Sequence, residues 1–441
     1  MDPATLAGVI LIAGVVVLIG VGAPIAIAIA IGLPSIVALA AVVGTEQAVF
    51  VASQRMFTGA SSFTLLAIPF FVLAGSLMNT GGIAERLIDA AKVLVGRMPG
   101  SLAQTNVVAN ALFGSVSGAA VASAAAMGST LGPRMKREGY DTSVSAAVNA
   151  ASAPAGMMIP PSNTLIVYSL VSSTSVATLF VAGYGPGLVW VLACLVVVAI
   201  LSRTRPGMSA RGEKVPVGLA VTTLLKAVPA ILMIVIVIGG LLAGFFTATE
   251  SAVIAVAYSF VLGLVYRQLT LKNLPTVIAG AARTTAVVML LVAVSSALSW
   301  VLSYAMIPQS ISSALLGLAD SRTVILLLMM VILLIVGAFM DPTPAILIFT
   351  PIFLPIAMEL GVDPIHFGLM ITFNLSLGTI TPPVGNILFI AAKVGGVRVE
   401  PVIRQMLPFF AALLIGLLLV VFVPQITMLL PDLLGMSSAA E

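Results

Sequence analysis

Apolar residues along this chain come in blocks, most of them about as long as the roughly 20 residues a helix needs to cross a bilayer. Such blocks fall near 4–21, 24–44, 60–78, 145–171 and 177–201, and again near 228–246, 250–266, 284–304, 366–392 and 406–430. Two further stretches, 102–131 and 323–355, are apolar but interrupted near their centres, by Gly114-Ser-Val-Ser-Gly118 and by Gly337-Ala-Phe-Met-Asp-Pro-Thr-Pro344. Residues 82–98 follow a different pattern. Ile83, Leu87, Ala91 and Leu94 alternate with Arg86, Asp89, Lys92 and Arg97 at helical spacing, which predicts an amphipathic helix lying in the membrane interface. The alternative is a basic cytoplasmic loop with some helix.

Composition turns this pattern into a class. Hydrophobic residues make up 60% of the chain and charged residues 8%, with a mean hydropathy of +1.22. An ordinary soluble domain is excluded, and blocks of spanning length favour helices over the alternating strands of a barrel. The net charge is +4, with basic residues at the ends of apolar blocks. That is a topology signal, and no nucleic-acid partner is expected. The chain opens Met-Asp-Pro without a basic leader, so its first block is expected to be a retained membrane helix. A single cysteine, Cys194 inside an apolar block, and a single histidine, His366, allow neither a disulfide nor a zinc site. No His-Glu-x-x-His, Walker A or Gly-x-Ser-x-Gly pattern occurs, so neither ATP use nor proteolysis is supported and no enzyme is expected.

One motif occurs twice. Gly156-Met-Met-Ile-Pro160-Pro161 and Gly378-Thr-Ile-Thr-Pro382-Pro383 lie 222 residues apart (378 minus 156), and at the same offset Pro133 matches Pro355, Gly139 matches Gly361 and Asp141 matches Asp363. Proline removes a backbone donor and clashes with the preceding turn. Within a membrane such a break survives only where the freed groups face protein or a polar cavity. Paired breaks in two halves point to a transporter's binding site.

Charge sets the orientation of the halves. Arg86, Lys92 and Arg97 precede the first interrupted stretch and Arg134, Lys136 and Arg137 follow it, so both of its ends are predicted to be cytoplasmic and the stretch to be a re-entrant hairpin. The aligned loop of the second half, Ile356-Ala-Met-Glu359-Leu-Gly-Val-Asp363, is apolar or acidic where the first is basic. Two inverted repeats follow, each an all-α unit of five spans and one hairpin. The first is residues 1–202, with scaffold helices in 1–80, an arm helix at 82–98, a hairpin at 102–131, a broken span at 145–171 and a span at 177–201. A cytoplasmic connector at 203–226 leads to the second repeat, 227–441, with scaffold helices in 228–304, a hairpin at 323–355, a broken span at 366–392 and a span at 406–430. Both termini are expected opposite the cytoplasm; Arg55 and Arg322 fit this topology poorly.

Unwound carbonyls and small hydroxyls are hard ligands suited to an alkali cation, and half-helix N-termini beside them suit a carboxylate. In the first half the candidates are Ser115, Ser117 and Gly118 at the hairpin tip and Gly156, Ile159 and Pro160 at the break. In the second half they are Gly337, Ala338 and Asp341 at the tip and Gly378, Thr379, Thr381 and Pro382 at the break. Ser162, Asn163, Thr164, Gly385 and Asn386 follow the breaks and could hydrogen-bond a polar substrate. Plainer readings stand beside these. Ser115 and Ser117 could serve helix packing, Asn163 and Asn386 could be caps, and Asp341 is either a functional intramembrane acid or the cap of a returning half-helix. Glu250, beside Thr247 and Thr249, reads as a cap or interfacial residue, and His366 as a solvated or helix-start residue.

In combination these segments are familiar. Gly337-Ala-Phe-Met-Asp-Pro-Thr-Pro-Ala, Thr350-Pro-Ile-Phe-Leu-Pro355, Gly361-Val-Asp-Pro-Ile-His-Phe-Gly368, Thr381-Pro-Pro-Val-Gly-Asn386, Ile68-Pro-Phe-Phe-Val-Leu-Ala-Gly75, Gly114-Ser-Val-Ser-Gly118 and Ile159-Pro-Pro-Ser162 resemble the large membrane subunit of tripartite ATP-independent periplasmic (TRAP) transporters. The resemblance covers nearly the whole chain. It implies a multi-pass bacterial inner-membrane secondary transporter of elevator architecture, driven by Na+ and importing an organic acid such as a dicarboxylate, sugar acid, sialic acid or keto acid. It implies sodium ligands at Ser115, Ser117, Gly156, Ile159 and Pro160, and at Gly337, Gly378, Thr381 and Pro382. No organic cofactor is implied. Two partners are: a small four-helix membrane subunit, expected as a separate chain, and a periplasmic substrate-binding protein. A net imported charge would draw about 2.3 kcal/mol per charge per 100 mV from the membrane potential. The alternative is a stand-alone carboxylate permease, sodium- or proton-coupled, that needs no binding protein. A channel or a non-transporting membrane scaffold is a third reading.

Overall fold

A computed structural model describes residues 44–204, 216–304 and 321–436, with isolated positions at 37, 40 and between 306 and 317. The expected spans near 4–21 and 24–44 fall almost wholly outside these residues, as does most of the connector. The protein is an all-α polytopic membrane protein, with no strand among the described residues. Eight of the described helical segments are long and apolar enough to cross a membrane.

Numbered over the described residues, the helices before the connector are α1 (Thr45–Ala60), α2 (Ala67–Thr80), α3 (Ile83–Val95), α4 (Ser101–Ser117), α5 (Ala120–Arg137), α6 (Thr142–Ser152), α7 (Asn163–Ser172) and α8 (Val176–Thr204). After it come α9 (Val217–Leu242), α10 (Ala248–Val265), α11 (Leu274–Tyr304), α12 (Arg322–Phe339), α13 (Pro342–Glu359), α14 (Pro364–Gly378), α15 (Asn386–Gly395), α16 (Val399–Phe422) and α17 (Gln425–Leu433). The sequence offset reappears in the helix bounds. Adding 222 to the ends of α5 gives the ends of α13, and the same shift carries the end of α4 to the end of α12 and the start of α6 to the start of α14. Past the breaks the shift becomes 223 (386 minus 163), because Val384-Gly385 stands where the first half has Ser162 alone.

Packing sorts the helices into two sets. In the central set, α4–α8 and α12–α17 interdigitate: α15 packs on α5 and α6, α7 on α13 and α14, and α8 on α14, α16 and α17. In the peripheral set, α1 packs on α11, and α2 on α10 and α11. Arg55 of α1 lies 5.7 Å from the Trp300 ring centroid on α11, a cation–π contact that accounts for one of the two arginines that fit the charge pattern poorly.

Two local expectations change and a third gains its packing partners. The amphipathic helix α3 turns Ala84, Ile88 and Ala91 onto Ala109, Phe113, Ala126, Met127 and Leu131 of α4 and α5. It also packs on α9, so protein covers most of its apolar face, while Leu94 stays exposed. The single span expected at 406–430 is two helices, because Val423 leaves the helical conformation (φ −121°, ψ 82°) and Pro424 offers no donor to continue α16. His366 does begin a helix but is not solvated. It is 3% exposed, with Nδ1 2.7 Å from Thr427 Oγ1 and Nε2 3.3 Å from the Val421 carbonyl oxygen, so it spans that interruption. Glu250 is a cap: its carboxylate accepts from the Thr247 N–H at 2.7 Å, in a capping box at the start of α10. Cys194 is buried in the core.

Candidate transport site

Each half sets a hairpin tip against a break, backbone on backbone. In the first half α4 ends at Gly118, whose φ of 60° is left-handed, and Ala119 runs extended into α5. One turn before that tip, Gly114 lies on Gly156: a β-carbon on Gly114 would stand 2.5 Å from the Gly156 Cα, and one on Gly156 2.3 Å from the Gly114 Cα. In the second half a β-carbon on Gly378 would stand 2.3 Å from the Gly337 carbonyl carbon. Only glycine allows contacts this close. The duplicated Gly-x-x-x-Pro-Pro motif is therefore a packing motif as well as a break.

At the first break α6 tightens into a 3-10 turn, Ala153–Met157, and the chain leaves the helical path through a cis Pro160–Pro161 bond before α7. At the second, α14 ends at Gly378 and the chain passes a cis Pro382–Pro383 bond before α15. Several carbonyls are freed, four of them at matched positions. Those of Ile159, Pro160, Thr381 and Pro382 accept no hydrogen bond from the described residues. Carbonyls freed at membrane depth need water, an ion or protein donors.

The hydroxyls near them point their hydrogens away. Thr381 donates to the Leu377 carbonyl at 2.8 Å and Ser115 to the Leu112 carbonyl at 2.8 Å, while Ser117 reaches the Ala119 carbonyl only at 3.5 Å. Their oxygen lone pairs remain available, and Ser115 and Ser117 are 5% and 4% exposed.

The residues after the breaks divide in two. Ser162 caps α7 and donates to the Met157 carbonyl; Thr164 donates to the same carbonyl at 2.9 Å, with the two hydroxyls 2.7 Å apart. Both are turned inward and brace the break. Asn163 lies against the first tip, 3.4 Å from a β-carbon placed on Gly118, and its buried Oδ1 has no partner. In the second half Val384 and Gly385 donate their N–H groups to the Ala338 carbonyl at 3.2 and 3.3 Å, stapling tip to loop. Asp341 holds the N-cap position of α13 but makes no capping bond. Its carboxylate lies beside the Asn386 side chain instead. Sequence reading left open whether Asp341 caps the returning helix, and the geometry turns it toward Asn386.

A cluster behind the first hairpin was missed. The Asn110 Nδ2 lies 2.7, 3.1 and 2.8 Å from Asn106 Oδ1, Asn149 Oδ1 and Ser152 Oγ, sharing its two hydrogens among them, and its Oδ1 accepts from Ser123 at 2.8 Å. Asn149 donates on to the Ala124 carbonyl at 2.7 Å. The signal was present, since Asn106 and Asn110 lie one turn apart on one face of α4, as do Asn149 and Ser152 on α6.

Over residues 12–426 the chain matches the profile of a family described as the tripartite ATP-independent periplasmic transporter, DctM component. The chain belongs to this family. It is 40% identical over 386 residues to the C4-dicarboxylate TRAP transporter large permease protein DctM of Pseudomonas aeruginosa, which spans 87% of this chain and 90% of that one. It is 37% identical over 387 residues to the sialic acid TRAP transporter large permease protein SiaM of Vibrio cholerae, spanning 87% and 89%. In fold it is similar to the YdaH transporter of Alcanivorax borkumensis, with a TM-score of 0.59 over 86% of this chain and 88% of that one, at 16% identity. This DctM-family permease is thus a multi-pass inner-membrane protein of a TRAP secondary transport system.

Proposed function

We propose that this DctM-family permease imports an organic acid together with sodium, receiving it from a periplasmic binding protein and working with a small membrane subunit. The observation that carries the reading is that each break frees carbonyls with no partner among the described residues, those of Ile159, Pro160, Thr381 and Pro382 among them, beside hairpin tips held on by glycine contacts. One cation site comprises Ser115, Ser117, Gly156, Ile159 and Pro160, the other Gly337, Gly378, Thr381 and Pro382. Asn163, Asp341 and Asn386 stand at the tip–break junctions, where a polar substrate would lie between the cations. The relatives' names cover a C4-dicarboxylate and sialic acid, and both ligands carry a carboxylate that would lie well beside bound sodium. The exchange of basic Arg134–Arg137 for apolar and acidic 356–359 supports opposite orientations of the two halves. The two packing sets suit an elevator, with the central helices moving against α1, α2 and α9–α11.

Proteoliposomes test this. The permease with its small subunit and binding protein should accumulate labelled carboxylate only under an inward sodium gradient, and Asp341→Ala should abolish most of that uptake. Uptake indifferent to sodium would overturn the coupling. Robust uptake by this chain alone would favour a stand-alone permease.

A further inference from the structure

The two halves are not equally full. In the second half α7 packs into the groove between α13 and α14, and Tyr168 fills it. The ring is fully buried, its hydroxyl donates to the Pro364 carbonyl at 2.5 Å, and a β-carbon on Gly368 would stand 2.4 Å from the ring. In the matching groove, between α5 and α6, the packing half-helix is α15, and the residue in the place of Tyr168 is Ala391 (168 plus 223). Among the described residues no aromatic side chain fills this groove, and Val394 covers only its Gly128 edge. A cavity of about 300 Å³ remains, lined by Asn106, Lys136, Thr142, Ser145, Asn149 and Ala391 among others, within the size range of small-molecule sites.

The lining has changed along with the filling. At the 222 offset Asn106, Lys136, Ser145 and Asn149 correspond to Leu328, Met358, Phe367 and Ile371, and Gly132, also in the wall, corresponds to Leu354. An apolar groove plugged by an aromatic ring in one half is an open, polar one in the other.

What the wall offers is mainly donors. The Asn106 Oδ1 is taken by Asn110, and the orientation of Asn110 is fixed because its own oxygen accepts from Ser123. The Asn106 NH2 is therefore the end left over, and it makes no hydrogen bond with the described residues although the side chain is 1% exposed. The Thr142 hydroxyl is likewise unbonded, and at the exposed rim the Lys136 ammonium has no ion-pair partner among the described residues. An unpartnered donor on a buried side chain, facing a cavity with a cation at its mouth, is complementary to an anion.

We propose that this cavity is a second binding site, sharing no residue with the hairpin tips and breaks, for a small molecule or headgroup bearing a carboxylate or phosphate. Lys136 is its counter-ion, and Asn106 and Thr142 are its neutral donors. The cavity lies beside Arg134 and Arg137, the basic end that the positive-inside rule assigns to the cytoplasm. Its ligand would come from the cytosol or from the inner leaflet.

Binding is measured without sodium, so the result is independent of the transport reading. The full chain in neutral detergent is titrated with succinate and with inorganic phosphate, followed by calorimetry and thermal unfolding. At least one should bind and raise the melting temperature, and Lys136→Gln should weaken it about tenfold or more, as loss of a charged hydrogen bond does. Gly132→Leu places the second half's side chain where a β-carbon meets nothing within 4 Å, and should block binding while the protein stays folded. If the ligand is a lipid headgroup, neither soluble anion binds, but native mass spectrometry from nanodiscs containing phosphatidylglycerol shows that lipid retained by the wild type and lost from both variants. The proposal is overturned if neither arm separates wild type from Lys136→Gln and Gly132→Leu.

Discussion

Behind the first hairpin, α4 carries Asn106 and Asn110, tied through Asn149, Ser152 and Ser123 to α6 and α5. At the same positions α12 carries Leu328 and Ile332, and Ala345 stands for Ser123. At the tips the contrast reverses: the second hairpin presents Asp341, beside Asn386, where the first has Ala119. One backbone arrangement is thus held in two ways. Glycine contacts join tip to break in both halves, but a side-chain hydrogen-bond network ties the first hairpin, whereas the second has mainly apolar packing with single bonds from Asn374 to the Met330 carbonyl and from Val384 and Gly385 to the Ala338 carbonyl. The shared part should be the least tolerant of change and the divergent parts should fail differently.

Breaking the shared part gives the largest effect. In Gly156→Ala or Gly378→Ala the added carbon meets backbone, which cannot rotate away, so hairpin and break must separate at a cost of about 1–3 kcal/mol. Both variants should lose nearly all uptake in proteoliposomes and melt at lower temperature. If either kept wild-type uptake, the glycine contact would not be what joins tip to break in that half.

The next effect belongs to the first half alone. Asn110→Leu removes three interhelical side-chain partners, Asn149, Ser152 and Ser123. Hydrogen bonds between membrane helices are worth about 0.6 kcal/mol each, and each partner left buried without one costs about 1–3 kcal/mol. Ser123 and Ser152 each keep a backbone carbonyl partner, so chiefly the Asn149 Oδ1 is stranded and a loss of about 2–4 kcal/mol is expected, read as a lowered melting temperature in detergent. Ile332→Val, the matched trim in the second half, should cost about 0.5–1.5 kcal/mol. Equal losses would mean that the network contributes no more than apolar packing does.

The sequence made the hairpins and breaks legible because glycine and proline act locally: Gly118, the Asp341-Pro342 start and the two Pro-Pro pairs interrupt helices wherever they stand. The offset of 222 was legible for the same reason. Contacts between distant segments were not. That α3 is covered by α4, α5 and α9, or that His366 meets Thr427, depends on packing partners that no local pattern names. Pro424 carried a local signal, but an apolar run on both sides hid it. The candidate ligands were legible as a set. Their division was not, because Ser162 and Thr164 look the same in sequence whether they face a substrate or the Met157 carbonyl.

The smallest effect separates the two breaks. Thr381 and Ile159 occupy the same position in their repeats, and both carbonyls are unpaired among the described residues. Thr381 adds a hydroxyl whose hydrogen is committed to Leu377 and whose oxygen is left free. Thr381→Ala removes that oxygen and keeps the carbonyl, a loss of about 0.5–1.5 kcal/mol, so the sodium concentration for half-maximal uptake should rise roughly two- to tenfold. Ile159→Ala removes only a side chain that packs toward Gly187 of α8. It should lower thermal stability and leave sodium dependence where it was. If sodium dependence moved in Ile159→Ala and stayed fixed in Thr381→Ala, the hydroxyl would be a packing group, and the difference between the breaks would lie in their carbonyls alone.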